Sequence, residues 1–328
     1  MAEPLRLVFM GSDPVALPLL EWLAGEGSGI AAVVGVFTGP DRPSGRGQSI
    51  QPNAVKAWAA GRALEILQPE KLDAAALSGL SALRPDATLV VAYGHILREE
   101  FISVPRLGTL NLHASLLPRY RGASPIQTAV AAGDRETGMT LMRIVRELDA
   151  GPAAAEERVA VGPLDTAADV EARLARAAVP LVARSLPLLA HGELEFHPQD
   201  ATRASFCRRL EKADGVLDFS SPAPVLAARI NGLYPWPSVS VDLAGEPVKL
   251  GLADAVEGAG EPGVVTGSDG EGLLIAGGTG LLRLRRIQRP GGRMLSAPEF
   301  LRGCPVPAGT RVPSRPMPAL WSSSPFRR

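Results

Sequence analysis

Short, unbroken apolar runs recur through the first half of this chain, and they restrict its fold more than any other feature of the sequence. Leu5–Met10, Ile30–Thr38, Ala87–Ala92, Thr109–His113 and Met139–Ile144 read as strands. Helical stretches near Asn53–Ala60, Asp73–Leu80 and Ser124–Ala132 lie between them. A strand that is apolar at nearly every position is buried on both faces. Strands of that kind alternating with helices predict a parallel, doubly wound α/β sheet. After the first strand, Gly11-Ser12-Asp13-Pro14 turns the chain into a helix, with Asp13 as N-cap and Pro14 in the first turn. The same turn, GSDPVA, lacks the GxGxxG cradle that an NAD-dependent Rossmann enzyme needs.

The pattern changes in the second half. Thr166–Ala190 is rich in Ala and Leu at helical spacing and closes a first domain over residues 1–192. Residues 193–207 are polar and irregular, as a linker would be. From 208 onward, short strand candidates at Ser238–Leu243, Val248–Leu252, Gly263–Thr266, Gly272–Ala276 and Leu281–Ile287 are separated by glycine-rich turns, the punctuation of a small β-barrel. Val306–Arg328 is rich in Pro and Ser and reads as partly disordered.

At 328 residues the chain has room for two cores, and its 46% hydrophobic and 21% charged content is that of a soluble protein. Two cysteines and four scattered histidines give neither a disulfide framework nor a metal-ligand spacing, so no metal is expected. The N-terminus is no signal peptide, and no apolar run reaches the length of a membrane span. A cytoplasmic monomer without membrane association is the expectation. Net charge is zero, but Arg203 onward carries 16 basic against 11 acidic residues, so the earlier part is acidic in balance. That asymmetry suggests a division of labour.

The chemistry concentrates in NLHASLLPRYRG, Asn111–Gly122, and in ELDAGP, Glu147–Pro152. Asn111 and His113 are two apart on a strand, so both side chains leave the same face while Leu112 points to a core. An amide, an imidazole and a carboxylate from Asp149 suit an acyl transfer in which the substrate supplies the nucleophile. Asn111 and His113 can donate to an oxygen as it becomes an oxyanion. Asp149 can orient the imidazole, keep it a donor near neutral pH, and relay a proton. An isolated histidine would be read as a satisfied core residue, and Asp149 by itself as a loop-capping residue before Gly151.

Two charged segments stand apart from this site. Phe37–Gly47, FTGPDRPSGRG, is a flexible loop with Arg42 and Arg46. Arg283, Arg285, Arg286, Arg289 and Arg293 follow one another with no acidic residue between Glu271 and Glu299, which suggests a basic strand face able to meet phosphates.

With these segments in view, the chain resembles the methionyl-tRNA formyltransferases of the folate-dependent formyltransferase superfamily along nearly its whole length. The blocks that carry the resemblance are FTGPDRPSGRG, VVAYGHIL at Val90–Leu97, NLHASLLPRYRGASPIQ at Asn111–Gln127 and ELDAGP. DGVLDF, INGLYPWPS and MLSAPEFLRG add to it in the second domain. Gln48 and Ser49 stand where the family often carries lysines, and Ala150 where a threonine is common. The resemblance implies a Rossmann-like catalytic domain and an OB-like, tRNA-binding C-terminal domain. It implies 10-formyltetrahydrofolate as formyl donor and initiator methionyl-tRNA as acceptor. By family position, Asn111, His113 and Asp149 are catalytic. Ser115, Leu116, Leu117 and Pro118, with the backbone of Tyr93 and Gly94, line the folate pocket. Arg42, Arg46, Arg283, Arg285, Arg286 and Arg289 meet the tRNA. A sugar-nucleotide or ribonucleotide formyltransferase would share the core but need neither the DRPSGRG arm nor the basic second domain. A tRNA-binding module without activity would not need Asn111, His113 and Asp149 together.

Overall fold

Leu7, Val8, Phe9 and Met10 are buried without exception, so from Leu7 onward neither face of the strand Leu5–Gly11 tolerates a polar residue. In the computed structural model, which describes residues 3–44 and 49–326, this strand lies inside a seven-stranded sheet. It pairs in parallel with Ala31–Phe37 on one side and Ala87–Val91 on the other. Ile66–Leu67 extends the first side and Thr109–His113 the second, again in parallel. Counted along the chain, these five strands run 3-2-1-4-5 across the sheet, the order of a doubly wound fold. The carboxyl ends of Ala87–Val91 and Thr109–His113 are therefore neighbours.

One strand departs from the expected parallel sheet. Glu136–Arg143 pairs antiparallel with Thr109–His113, placing Thr140 opposite His113. The connecting helix, Pro125–Ala131, belongs to the second compact unit, and an antiparallel pair needs no crossover connection. The chain re-enters the sheet from the end at which it left. Ala153–Ala160, not foreseen as a strand, forms the sheet edge. Local signals behave as expected elsewhere. Asn53 and Asp73 cap their helices by accepting from Lys56 and Ala76 N–H, each at 3.0 Å. Ala167–His191 is one helix of 25 residues, with Pro180 and Pro187 inside it.

The first unit takes the described residues up to Arg121, then Gly138–Val159 and Ala172–Ala204; the second takes Gly122–Thr137, Ala160–Glu171 and the chain from Ser205. In the second, an antiparallel sheet runs in the order Val239–Leu243, Glu246–Val256, Leu281–Gln288, Leu273–Ala276, Val265–Ser268. The first hairpin turns through Ala244 and Gly245, both with positive φ, as a two-residue turn demands. The helix Ala223–Leu233 contributes Leu226, Ile230 and Leu233 to a core shared with Leu250, Leu282, Leu284 and Ile287. Asn231 on that helix exchanges two 2.9 Å hydrogen bonds with the backbone of Ala253, where the strand register shifts. Its carboxamide thus satisfies the groups that the bulge removes from the ladder.

The Pro- and Ser-rich tail is built into this unit through residue 326, contrary to the expectation of disorder. Val312 and Leu320 are buried in its core. Prolines supply carbonyls but no N–H, and arginines answer them: Arg229 donates to Pro318 O at 2.9 Å and Arg208 to Ala319 O at 3.0 Å. Leu320→Ala should therefore behave as a core truncation, costing about 2–5 kcal/mol. Urea unfolding of the full chain measures it, and a loss within error of zero would show the tail to be merely laid on the surface.

Candidate functional site

The strand Thr109–His113 ends with its two polar side chains in different states. His113 is buried, and Asn111 is half-buried with a carboxamide that makes no hydrogen bond to any described residue. His113 Nε2 lies 2.8 Å from the carbonyl oxygen of Tyr120. A carbonyl can only accept, so this nitrogen carries a proton. Nδ1 is the ring atom left for chemistry, and it faces Asp149 Oδ2 at 3.7 Å. That separation is too long for a direct hydrogen bond but close enough for the carboxylate to stabilise a positive ring. The three residues expected to be catalytic thus belong to the same unit, and two of them face each other at 3.7 Å.

The intervening SLLPRY segment folds back over the strand end to bring Tyr120 into place. Ser115 is fully buried and its hydroxyl donates to Arg119 O at 2.6 Å. Thr140 donates to Ser115 O at 2.7 Å and accepts from Leu117 N at 3.1 Å. The Leu117–Pro118 peptide is cis, and Tyr120 takes a left-handed φ of 55°. Ser115 is therefore spent inside the turn, leaving half-buried Leu116, Leu117 and Pro118 as the surface the turn can offer a ligand. At the neighbouring strand end, Gly94 has φ 81° and open space where a Cβ would stand. Tyr93 instead points into the core beside Val8, Met10 and Phe101. Burial pushes its hydroxyl above the usual phenol range.

Asp149 has φ 49°, and its loop is pinned from two sides. A Cβ at Gly151 would run into the Arg143 carbonyl, so only glycine fits there. Two residues not identified as site residues in the sequence complete the surroundings. Arg121 is buried; desolvation pulls its guanidinium below the ordinary value while the Asp149 carboxylate pushes it back up. Gln199, in the stretch read as a linker, bonds both Arg121 and the Asp149 loop. Arg121 had a signal in the RYRG flank of the motif. Gln199 had none, being a lone amide in a polar run.

The root of the DRPSGRG arm is tied to the sheet. Gly39 N donates to Ser12 Oγ at 2.8 Å, and Gln68 donates to Gly39 O at 2.7 Å and Asp41 Oδ1 at 2.9 Å. Lys56 pairs with Asp41 at 2.5 Å; this bond and that from Gln68 hold the Asp41 carboxyl below its usual range. Beyond the root, Arg42 is exposed in the short antiparallel pair Arg42–Ser44 and Ser49–Gln51, and its guanidinium has no hydrogen bond or ion pair to any described residue. Arg46 lies outside the described residues, as does Gln48.

The arginine run is less free than its linear sequence suggests. Arg283 reaches Asp254 at 2.6 Å, Asp269 at 3.0 Å and Glu271 at 2.5 Å. Arg285 reaches Asp254 at 2.7 Å and Glu271 at 3.1 Å, and Arg289 reaches Glu246 at 2.8 Å. These acids come from adjacent strands and turns, which a scan along the chain does not see. Arg286 is exposed and unpaired among the described residues. No group of three His, Cys, Asp or Glu among the described residues could hold a metal ion, and no described helix is long and apolar enough to cross a membrane.

Comparison with known proteins gives concordant findings. Residues 5–186 match the family model described as formyl transferase, and residues 209–305 the model described as formyl transferase, C-terminal domain. The methionyl-tRNA formyltransferase of Aromatoleum aromaticum is 40% identical over 94% of this chain and 98% of its own length. The N-formyltransferase of Helicobacter canadensis, solved with folinic acid and dTDP-3-aminofucose, superposes with a TM-score of 0.64 at 15% identity, over 85% of this chain and 99% of that one. HypX from Aquifex aeolicus, solved with tetrahydrofolic acid, superposes at 0.60 and 17% identity, over 92% of this chain and 47% of its own.

Asp254 offers a test of the charge network. Burial alone would raise its carboxyl, but hydrogen bonds from Arg283 and Arg285 outweigh that and hold it below the usual range. A depressed carboxylate stabilises the fold above its unfolded-state value and loses that contribution as pH falls through the folded one. Asp254→Asn should cost about 1.5–3 kcal/mol near neutrality. The difference from wild type should shrink in acid, and urea titrations at both pH values would measure it.

Proposed function

The chain belongs to the formyl transferase family, and from that premise we propose that it moves the formyl group of 10-formyltetrahydrofolate to the α-amino group of initiator methionyl-tRNA. The observation that carries the reading is the opposition of His113 Nδ1 and Asp149 at 3.7 Å beside the unengaged carboxamide of Asn111. Identity over nearly the full length to a methionyl-tRNA formyltransferase supports that acceptor, which the shared fold does not, since a sugar 3N-formyl transferase has it too.

The acceptor amine is its own nucleophile, so no serine or cysteine is required. As its nitrogen bonds to the formyl carbon, charge gathers on the formyl oxygen. Asn111 Nδ2–H and His113 Nδ1–H donate to that oxygen, with Nε2–H anchored on Tyr120. Asp149 steadies the charged ring and passes the amine proton through water to the departing folate nitrogen. The face of Leu116, Leu117 and Pro118, with the backbone of Tyr93 and Gly94, suits a flat apolar ring, and Ser115 holds that face in shape. The antiparallel sheet of the second unit is taken as an OB-like tRNA-binding domain. Among the described residues its Arg286 and the arm's Arg42 have no ion-pair partner and are assigned to phosphate, and Arg46 is assigned with them by its place in the motif. Arg283, Arg285 and Arg289 would do so only by sharing charge with their carboxylates. Action in the cytoplasm, as a monomer, completes the proposal.

The direct experiment is incubation of the purified protein with charged initiator tRNA and 10-formyltetrahydrofolate, followed by analysis of the aminoacyl group; an unmodified methionine would overturn the reading. Asn111→Ala and His113→Ala should each lower kcat about 10²–10³-fold, the usual effect of losing an oxyanion donor. Asp149→Asn should lower kcat and change the pH–rate profile, and its folding should be little altered. Steady-state rates over a pH series separate these cases.

Affinity for tRNA should fall linearly in log Kd against log salt. Arg286→Ala and Arg42→Ala should each flatten that slope by roughly 0.7–0.9, whereas Arg283→Ala should flatten it less because its charge is already shared. Equal slopes for wild type, Arg286→Ala and Arg42→Ala would reduce these arginines to solvated surface.

A further inference from the structure

The loop bearing Asp149 is held by a side chain that the reaction above does not use. Gln199 Nε2 donates to the backbone carbonyls of Asp149 at 2.8 Å and Gly151 at 2.7 Å. Its Oε1 accepts from Arg121 twice, Nη2 at 2.7 Å and Nε at 3.1 Å. The chemistry of the partners leaves the amide one orientation. A guanidinium has no acceptor, so it must face the oxygen; two carbonyls have no donor, so they must face the nitrogen. We infer that Gln199 is a positioning residue for formyl transfer: locked by buried Arg121, its carboxamide clamps the Asp149–Gly151 backbone and sets where the Asp149 carboxylate stands opposite His113.

Three observations support this role over that of a general surface tie. Asp149 sits at φ 49°, a conformation an aspartate does not keep unless its surroundings hold it. The clamp acts on the backbone of that residue and of Gly151, the residue pressed against the Arg143 carbonyl. Gln199 is also delivered by an anchored segment. His197 and Ala153 exchange backbone bonds of 2.8 and 2.9 Å, and the Arg143 guanidinium lies 4.2 Å over the Phe196 ring. The stretch between the long helix and the second unit is therefore part of the site's support. A carboxylate 3.7 Å from its ring partner has little room for drift, because a misplacement of about 1 Å at such a site costs up to roughly 10²-fold in rate.

The inference rests on the formyl-transfer reading, and the experiment separates the two. Gln199→Glu keeps the size and the Arg121 partner but turns two donations into two oxygen–oxygen repulsions. Gln199→Met removes all four hydrogen bonds at similar volume and serves if the first variant folds poorly. Wild type and both variants are assayed for formyl transfer with both substrates varied, and amide exchange of residues 145–152 is followed by mass spectrometry. The expected result is a fall in kcat of about 10–100-fold, both KM values within about threefold of wild type, and faster exchange confined to that loop. Unchanged kcat, or a raised KM with kcat intact, would overturn the positioning role. If wild type itself transfers no formyl group, the functional reading fails on its own. Loop exchange then decides the clamp, and equal exchange in Gln199→Glu would refute it.

Discussion

His113 ends a parallel strand and donates its Nε2–H to a carbonyl seven residues further on, and the rest of the site is arranged around that bond. To bring Tyr120 O within 2.8 Å, the intervening chain must fold back at once. The buried Ser115 hydroxyl and Thr140 on the antiparallel neighbour strand hold that fold. The antiparallel pairing of Glu136–Arg143 matters here, since its register places Thr140 opposite His113. With Nε2 occupied, Nδ1 is the ring nitrogen left for the proposed chemistry, and it faces the Asp149 carboxylate. The loop from Leu148 to Gly151 supplies Asp149 there, backed by Arg121 and Gln199.

Charge is handled differently in the two units. Around Asp149, the buried guanidinium of Arg121 is held by an amide and stabilised by the Asp149 carboxylate, so its burial does not leave the charge unanswered. On the strand Leu281–Gln288, Arg283 and Arg285 flank Leu284 and meet acids on Glu246–Val256 and in the turn at Asp269–Glu271, and just beyond the strand Arg289 meets Glu246. Most of the positive charge there stabilises the sheet. Arg286 is exposed and its side chain is unpaired among the described residues, which is why the proposed phosphate contact falls to it.

The second unit shows how a segment poor in donors can still be ordered. Residues 306–326 lack the regular pattern of a helix or strand, yet Val312 and Leu320 fill core positions, and Arg208 and Arg229 supply the N–H groups that proline-rich backbone cannot. Composition predicted disorder because it counts residue types and does not register that a few apolar side chains at the right intervals suffice to dock an extended chain.

What the sequence determined alone is what depends on near neighbours. The apolar runs marked four of the five parallel strands, the two-residue Ile66–Leu67 being too short to show, Asn53 and Asp73 marked helix starts, and the two-residue spacing of Asn111 and His113 put both on one face of a strand. The motif also named Asp149 as the carboxylate to look for. What only the tertiary structure decided is what depends on partners distant in the chain: the reversal of Glu136–Arg143, the engagement of Nε2 rather than Nδ1, the pairing of Arg283 and Arg285 with Asp254, and the clamp from Gln199. Each is a hydrogen bond or charge contact whose geometry is set by how separate elements pack. A one-dimensional pattern records which groups are available, and the packing decides which of them meet.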